Sequence, residues 1–359
     1  LFELGVLMAP RKPRVTETVE LDRAPGAPHP RETARLVGQD AALAIVSRAI
    51  RGQRPPQAWL ICGPPGVGKA TLAYRVARYL LAYGAKANGP EDLAVPANDA
   101  AAVQITAGSH PGLLVLKRGY NDDGKLMTVL GVDVVRRLNS FFGMTSGAGG
   151  WRAVIVDTAD DMNDQAANAL LKLLEEPPAK AMLFVLSNTP GRLLPTIRSR
   201  CQRLTLRPLS DADMAAELER LQPDTSSDER AALVKLAGGS LGAAIRLSGG
   251  EGITLAQEAA KLIDRASAPD VAAIMQLADK LGRITDGLDL LGDFLVENLT
   301  SRIRDRALAG QPNLNKWVDA LERLRRSFAR TGALHLEPRQ TLLSAARDLN
   351  ATARRAGTV

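Results

Sequence analysis

Four short apolar runs mark the first half of the chain: Ala58-Trp-Leu-Ile-Cys62, Leu113-Leu-Val-Leu116, Ala153-Val-Ile-Val156 and Met182-Leu-Phe-Val-Leu186. Runs this short, with no alternating polar face, predict strands buried on both sides, and helical stretches separate them. The pattern therefore predicts a parallel α/β sheet from Leu36 to about Pro208. After Pro208 the runs stop and apolar positions recur every three or four residues. Ser210 or Asp211 is placed to cap a helix reaching about Leu221, and Asp228 begins another that ends near Gly238-Gly239. Ser248-Gly-Gly-Glu-Gly252 reads as a hinge. From about Leu255 to Arg355 the pattern is helical throughout, with Leu288, Leu291, Leu295 and Leu299 on one face. Residues 1–35 carry Pro10, Pro13, Pro25, Pro28 and Pro30 and read as a tail or extended arm. The expected organisation is an arm (1–35), an α/β domain (36–208), a small helical lid (209–250) and an all-helical C-terminal domain (251–359).

Composition narrows the class. A chain of 359 residues is long enough for two or three domains, each with its own core. With 45% apolar and 24% charged residues, a disordered or collagen-like chain is excluded. No run nears the roughly 18 apolar residues a bilayer span needs. The net charge of +7 permits an anionic partner without demanding one. Arg outnumbers Lys 35 to 11, which favours planar, multidentate contacts. Cys62 and Cys201 lie far apart and form no C-x-x-C pair, so neither a zinc module nor a disulfide framework is legible. The apolar start Leu1–Met8 precedes Arg11-Lys12, the wrong order for a secretory signal, so the expected compartment is the cytoplasm. Met8 is a candidate start residue.

Gly63-Pro-Pro-Gly66-Val-Gly68-Lys69-Ala70-Thr71 follows a predicted strand and precedes a helix, as a phosphate-binding loop does. Gly63, Gly66 and Gly68 let backbone N–H groups face an anion, and Lys69 supplies charge. The position directly after the lysine needs a hydroxyl to hold Mg²⁺, and here it is Ala70. Thr71 is next, but one residue turns about 100° around a helix, which aims its hydroxyl away from the metal. Asp157 ends the third run, where a Walker B aspartate would support Mg²⁺. Thr158 follows where a glutamate would activate water, and a neutral hydroxyl is a poor base. Asp160 and Asp161 are the nearest replacements, each displaced along the chain. Hydrolysis needs both metal and base, so a nucleotide could bind weakly while Mg²⁺-dependent turnover is not expected.

Asn163 to Pro178 reads as an amphipathic helix stopped by Pro177. Together with the preceding motifs it resembles the AAA+ clamp-loader ATPases of bacterial DNA polymerase III. Ser199-Arg200-Cys201 looks like that family's SRC motif, Ser187-Asn188-Thr189-Pro190 like its sensor 1, and Leu36-Val-Gly38-Gln39 like its adenine-facing segment. The likeness runs by motif over roughly 35–250, and more weakly beyond through Leu336-Glu-Pro338-Arg-Gln340. The delta prime branch, with degraded ATPase motifs, fits best. Active members carry an arginine after Gly-Ser-x; here Gly239-Ser240-Leu241-Gly242 lacks it, and Arg246 follows one turn later. The branch often has a cysteine zinc module, but Ala82 to Gly108 holds no cysteine, so no zinc is expected.

The resemblance implies a non-catalytic subunit that offers Arg200 as an arginine finger to a neighbouring ATPase. It implies vestigial nucleotide contacts at Gly63, Gly66, Gly68, Lys69, Thr71, Asp157 and Asn188. Its partners would be the tau/gamma ATPase subunits and the delta subunit, with the sliding clamp and primed DNA reached through the complex and no membrane partner. For Arg192, Arg198, Arg203 and Arg207, a DNA contact, a solvated edge and a subunit contact all stay open. His29, His110 and His335 stand apart in sequence and read as structural or surface residues. The competing reading is an active AAA+ DNA-dependent ATPase or motor, rescued by Thr71 or Asp160. A small-molecule phosphotransferase shares the loop but leaves the SRC motif unexplained.

Overall fold

The computed structural model describes residues 23, 27–85, 89–119, 127, 129–131, 133–143, 150–249, 251–284, 287–312, 314–334, 337–357 and 359. Most of the N-terminal arm, His335 and Leu336 lie outside the described residues. The α/β region contains α1 (Asp40–Ile50), β1 (Ala58–Cys62), α2 (Lys69–Tyr83), α3 (Ala100–Thr106), β2 (Leu113–Leu116), α4 (Asp133–Gly143) and β3 (Arg152–Val156). It continues with α5 (Asp164–Glu175), β4 (Ala181–Ser187), α6 (Pro195–Arg200) and β5 (Gln202–Thr205). The strands form one parallel sheet in the order β2-β3-β4-β1-β5.

The expected fold class is present. All four apolar runs are strands, and β1 and β4 are buried along their whole length. Side chains alternate between faces. Trp59, Ile61, Ile155, Phe184 and Leu186 pack on one side with Leu72, Val76 and Leu80 of α2. Leu60, Cys62, Val154, Val156 and Val185 pack on the other with Leu138, Leu170 and Ile197. The fifth strand carried no apolar run, because at the sheet edge only Leu204 of its four residues is buried. β5 is legible only through its pairing with β1, Trp59 opposite Gln202 and Cys62 opposite Thr205.

Two segments are held by hydrogen bonds to their carbonyls. Ser47 donates to Glu91 O (2.5 Å), Arg51 to Gly89 O (2.9 Å) and Arg75 to Asp92 O (2.8 Å). With Leu93 and Ile105 buried beneath, the cysteine-free stretch before β2 is anchored by apolar burial and arginine donors. The C-terminal end of the arm is docked rather than loose. His29 is fully buried edge-on against Tyr74, Arg78 donates to Arg31 O (2.6 Å) and Arg75 to Ala34 O (2.6 Å).

Helices follow to the end of the described chain: α7 (Asp211–Leu221), α8 (Ser227–Ala237), α9 (Leu241–Leu247), α10 (Gly252–Asp264), α11 (Val271–Leu281), α12 (Gly287–Leu308), α13 (Leu314–Leu334) and α14 (Pro338–Ala356). Ser210 caps α7 by accepting from Asp213 N (3.1 Å). α8 starts one residue before the expected Asp228, because Ser226 accepts from Glu229 N (3.2 Å). At the far end of the expected hinge, a Cβ on Gly252 would stand 2.4 Å from Leu247 O. Among the described residues, no helix is long and apolar enough to cross a membrane.

α12 and α13 cross closely at Gly292, where a Cβ would stand 2.6 Å from Phe328 Cδ1 and 2.7 Å from Cγ. Gly292→Ala is expected to cost about 1–3 kcal/mol by overpacking. The midpoint of thermal unfolding should fall by several degrees, and an unchanged midpoint would mean that the two helices separate freely.

Candidate functional site

The carboxyl ends of β3, β4 and β1 lie side by side, and ligands of open α/β sheets bind outside such ends. The cleft there measures about 360 Å³ and is lined by the phosphate loop, Thr71, Asp157, Thr158, Asn188, Leu36, Val37 and the start of α9. The structure thus brings together Gly66, Gly68, Lys69, Thr71, Asp157 and Asn188 around one cavity. Gly63 lies at the base of the loop, its N–H donating to Ser187 O (3.3 Å). Gln39 donates to Arg207 O (2.7 Å) and Val67 O (3.4 Å), which ties the Leu36–Gln39 segment to the same loop.

α2 begins at Lys69, with Gly68 at φ +99° before it. The Lys69 side chain turns back on its own loop, and Nζ donates to Gly63 O (2.9 Å) and Pro64 O (2.7 Å). It is almost fully buried. Desolvation lowers its pKa to about 8, against the opposing pull of Asp157 and Asp160. The charge that would hold an anion is therefore lost above about pH 8, well below an ordinary lysine near 10.4. Sulfate affinity, measured by calorimetry from pH 7 to 9.5, should fall up to about tenfold per unit above that point. A flat profile to pH 9.5 would show that Lys69 keeps an ordinary pKa.

The candidate replacement bases are both engaged. Asp160 accepts from Ser187 Oγ (2.7 Å), Asn188 N (2.5 Å) and Thr189 N (3.3 Å), so it fixes the turn after β4. Asp161 pairs with Arg118 (3.2 Å) and accepts from Thr158 Oγ1 (3.3 Å). Burial raises its pKa, and Arg118 opposes that shift. This role for Asp160 had no sequence signal, because its partners lie 27 to 29 residues away.

The start of α9 meets the loop directly. Ser240 caps α9 by accepting from Ala243 N (3.1 Å), and its hydroxyl donates to Pro65 O (2.8 Å). Gly242 N donates to Gly66 O (3.1 Å). A Cβ on Gly66 would stand 2.4 Å from Ser240 Oγ, and one on Gly242 would stand 2.9 Å from Gly66 Cα. The missing arginine at position 242 thus has a steric reason: the contact admits only glycine.

Arg200 lies elsewhere. Pro195 opens α6 and Ile197 anchors it in the core. Arg200 then ends the helix, with Nη1 donating to Thr196 O (3.2 Å) and Nη2 paired with Glu175 Oε1 (2.9 Å). Its side chain is 37% exposed. β5 starts two residues later, level with Trp59, so Arg200 sits at the amino edge of the sheet. The phosphate loop leaves the carboxyl edge, about 13 Å away along a four-residue strand. Arg200 lines a separate cavity of about 310 Å³ with Ser199, Cys201, Leu173 and Pro177. Burial pushes the Cys201 thiol up to about 12, which makes it a packing residue rather than a nucleophile. Among the described residues, no group of three or more His, Cys, Asp or Glu is placed to hold a metal ion.

Residues 38–210 match the family described as DNA polymerase III, delta subunit. DNA polymerase III subunit delta' of Pseudomonas aeruginosa is 39% identical over 194 residues, 54% of this chain and 56% of that relative. The Escherichia coli protein of the same name is 36% identical over 200 residues, 55% and 56% of the two chains. DNA polymerase III subunit gamma/tau of Mycobacterium bovis is 32% identical over 194 residues, 54% of this chain and 31% of that one. The chain spans about half the length of the delta' relatives it matches. Residues 38–210, which carry the phosphate loop, Asp157, Asn188 and the Ser199-Arg200-Cys201 turn, are thus similar to the DNA polymerase III delta subunit family.

Proposed function

We propose that this chain is a non-catalytic AAA+ subunit of the bacterial replicative clamp loader. It assists ATP-driven loading of the sliding clamp onto primed DNA and lends Arg200 to a neighbouring ATPase. Its partners are then the tau/gamma and delta subunits, with clamp and DNA reached through the assembly in the cytoplasm. Residues 36–208 serve as the AAA+ domain, 209–250 as its lid and 251–359 as the collar through which subunits join. Gly63, Gly66, Gly68, Lys69, Thr71, Asp157 and Asn188 remain as a weak nucleotide site without productive Mg²⁺, and no zinc takes part.

The observation that supports this most is Asp160. It is the acid best placed to replace a catalytic glutamate, yet both its oxygens already accept from the turn after β4. Freeing it for proton transfer would leave the buried Ser187 hydroxyl without its acceptor, at a cost of about 1–3 kcal/mol, and would release the N–H groups of Asn188 and Thr189 as well. The test is phosphate release by the purified chain with ATP, Mg²⁺ and primed DNA. The expected rate equals that of Lys69→Ala. Turnover that disappears in Lys69→Ala would instead assign an autonomous ATPase or motor.

A further inference from the structure

α9 touches two parts of the molecule. Its first turn lies on the phosphate loop through Ser240 and Gly242. Its last turn carries Arg246, which lines the same cleft as Lys69, Gly66 and Asp157. The point beside Gly242 where a side chain would begin is 2.9 Å from Gly66 Cα and 3.8 Å from Arg246 Nη1. One missing side chain therefore separates the guanidinium from the loop.

Arg246 is incompletely satisfied where it stands. Nη2 lies 3.8 Å from Glu297 Oε2 on α12, too far for a hydrogen bond. Nε is buried and has no hydrogen-bond partner. A buried charged donor without an acceptor is costly and retains capacity for a ligand. Glu297 and Asp293 are both desolvated beside it: burial raises the pKa of each, and Arg246 opposes both rises. The Arg246–Glu297 contact is thus a loose pair between α9 and α12, with the cleft that holds Lys69 on its other side.

We propose that Arg246 is shared between two acceptors: a di- or triphosphate oxyanion in the cleft draws the guanidinium away from Glu297, so anion binding and the α9–α12 ion pair exclude one another. Occupancy of the loop is then felt at α12, in the C-terminal helices, whether or not the chain hydrolyses ATP. Glu297 is a positioning residue that holds the cation in reserve, and Arg246 is the residue that contacts the ligand.

The test is calorimetric titration of the full chain with pyrophosphate and, separately, with ADP, both without Mg²⁺. Circular dichroism and thermal unfolding confirm that each variant is folded. Glu297→Gln should tighten binding about threefold to fivefold, the worth of a weak ion pair. Arg246→Gln should weaken it about tenfold or more, as loss of a charge-assisted contact does. In the double variant the gain from Glu297→Gln should vanish. A response to pyrophosphate alone assigns a free diphosphate, and an equal or larger response to ADP assigns the nucleotide-borne group. Unchanged affinity in Glu297→Gln would overturn the proposal. So would a gain that persists without Arg246, because removal of any nearby acid would explain it. Absence of binding in both the unaltered chain and Glu297→Gln would overturn it as well.

Discussion

In a clamp loader reconstituted with its ATPase partners, Arg200→Ala is expected to lower ATP turnover at the neighbouring site by about a thousandfold, the order an arginine finger contributes. The expectation rests on where the side chain can and cannot go. Arg200 stands at the opposite sheet edge from its own phosphate loop, so it cannot serve that loop. It is half-exposed, and its partner Glu175 is itself half-exposed, so the pair is screened and exchangeable. Its backbone is fixed, because Ile197 and Cys201 are buried on either side. A cation on a rigid mount with a weak local partner is suited to stabilise charge on another chain's phosphates. Arg198→Ala, on the same short helix, should leave turnover nearly unchanged, which separates a finger from general basicity. Arg200→Lys should recover little, since a lysine lacks the planar fork. Equal turnover by Arg200→Ala and the unaltered complex would remove the finger.

What the sequence disclosed follows the range of the interactions involved. The four buried strands were legible because a strand covered on both faces must be apolar throughout, as β1 and β4 are. Helix starts were legible to within a residue or two, because Ser210 and Ser226 cap through bonds three residues long. The phosphate loop was legible because its constraint is local: glycines, a lysine and a helix start within nine residues. β5 was not legible, because an edge strand with one buried side chain has no pattern of its own. Neither was the engagement of Asp160, the closure of Gly66 on Gly242, or the pairing of Arg246 with Glu297. Each joins residues that only the folded topology brings together. The sequence places Ala70, Thr158 and Gly242 at the motif positions, and the structure shows which groups the neighbouring Asp160, Asp161 and Gly66 bind.

Gly242→Arg restores the residue type that the family resemblance associates with active ATPases, yet it is expected to destabilise the protein without creating an ATPase. Any side chain here starts 2.9 Å from Gly66 Cα, a separation that real Cβ atoms essentially never show. The loop cannot yield locally. Gly66 sits at φ +75° with its own Cβ direction blocked by Ser240 Oγ at 2.4 Å, and Lys69 binds the carbonyls of Gly63 and Pro64 from within. α9 must therefore move, and the bonds from Gly242 N to Gly66 O and from Ser240 Oγ to Pro65 O are lost with it. Overpacking and the broken bonds together cost about 2–4 kcal/mol. Denaturant titration should show a lower midpoint with an unchanged slope, and Gly242→Ala should show the same sign at smaller size. An unchanged midpoint in both would mean that α9 stands clear of the loop in solution. Turnover should stay at the Lys69→Ala level, because Ala70 still offers Mg²⁺ no hydroxyl and Thr158 still offers water no base. The arginine addresses one of three departures from the motif, and the Gly66 backbone occupies the space its Cβ would need.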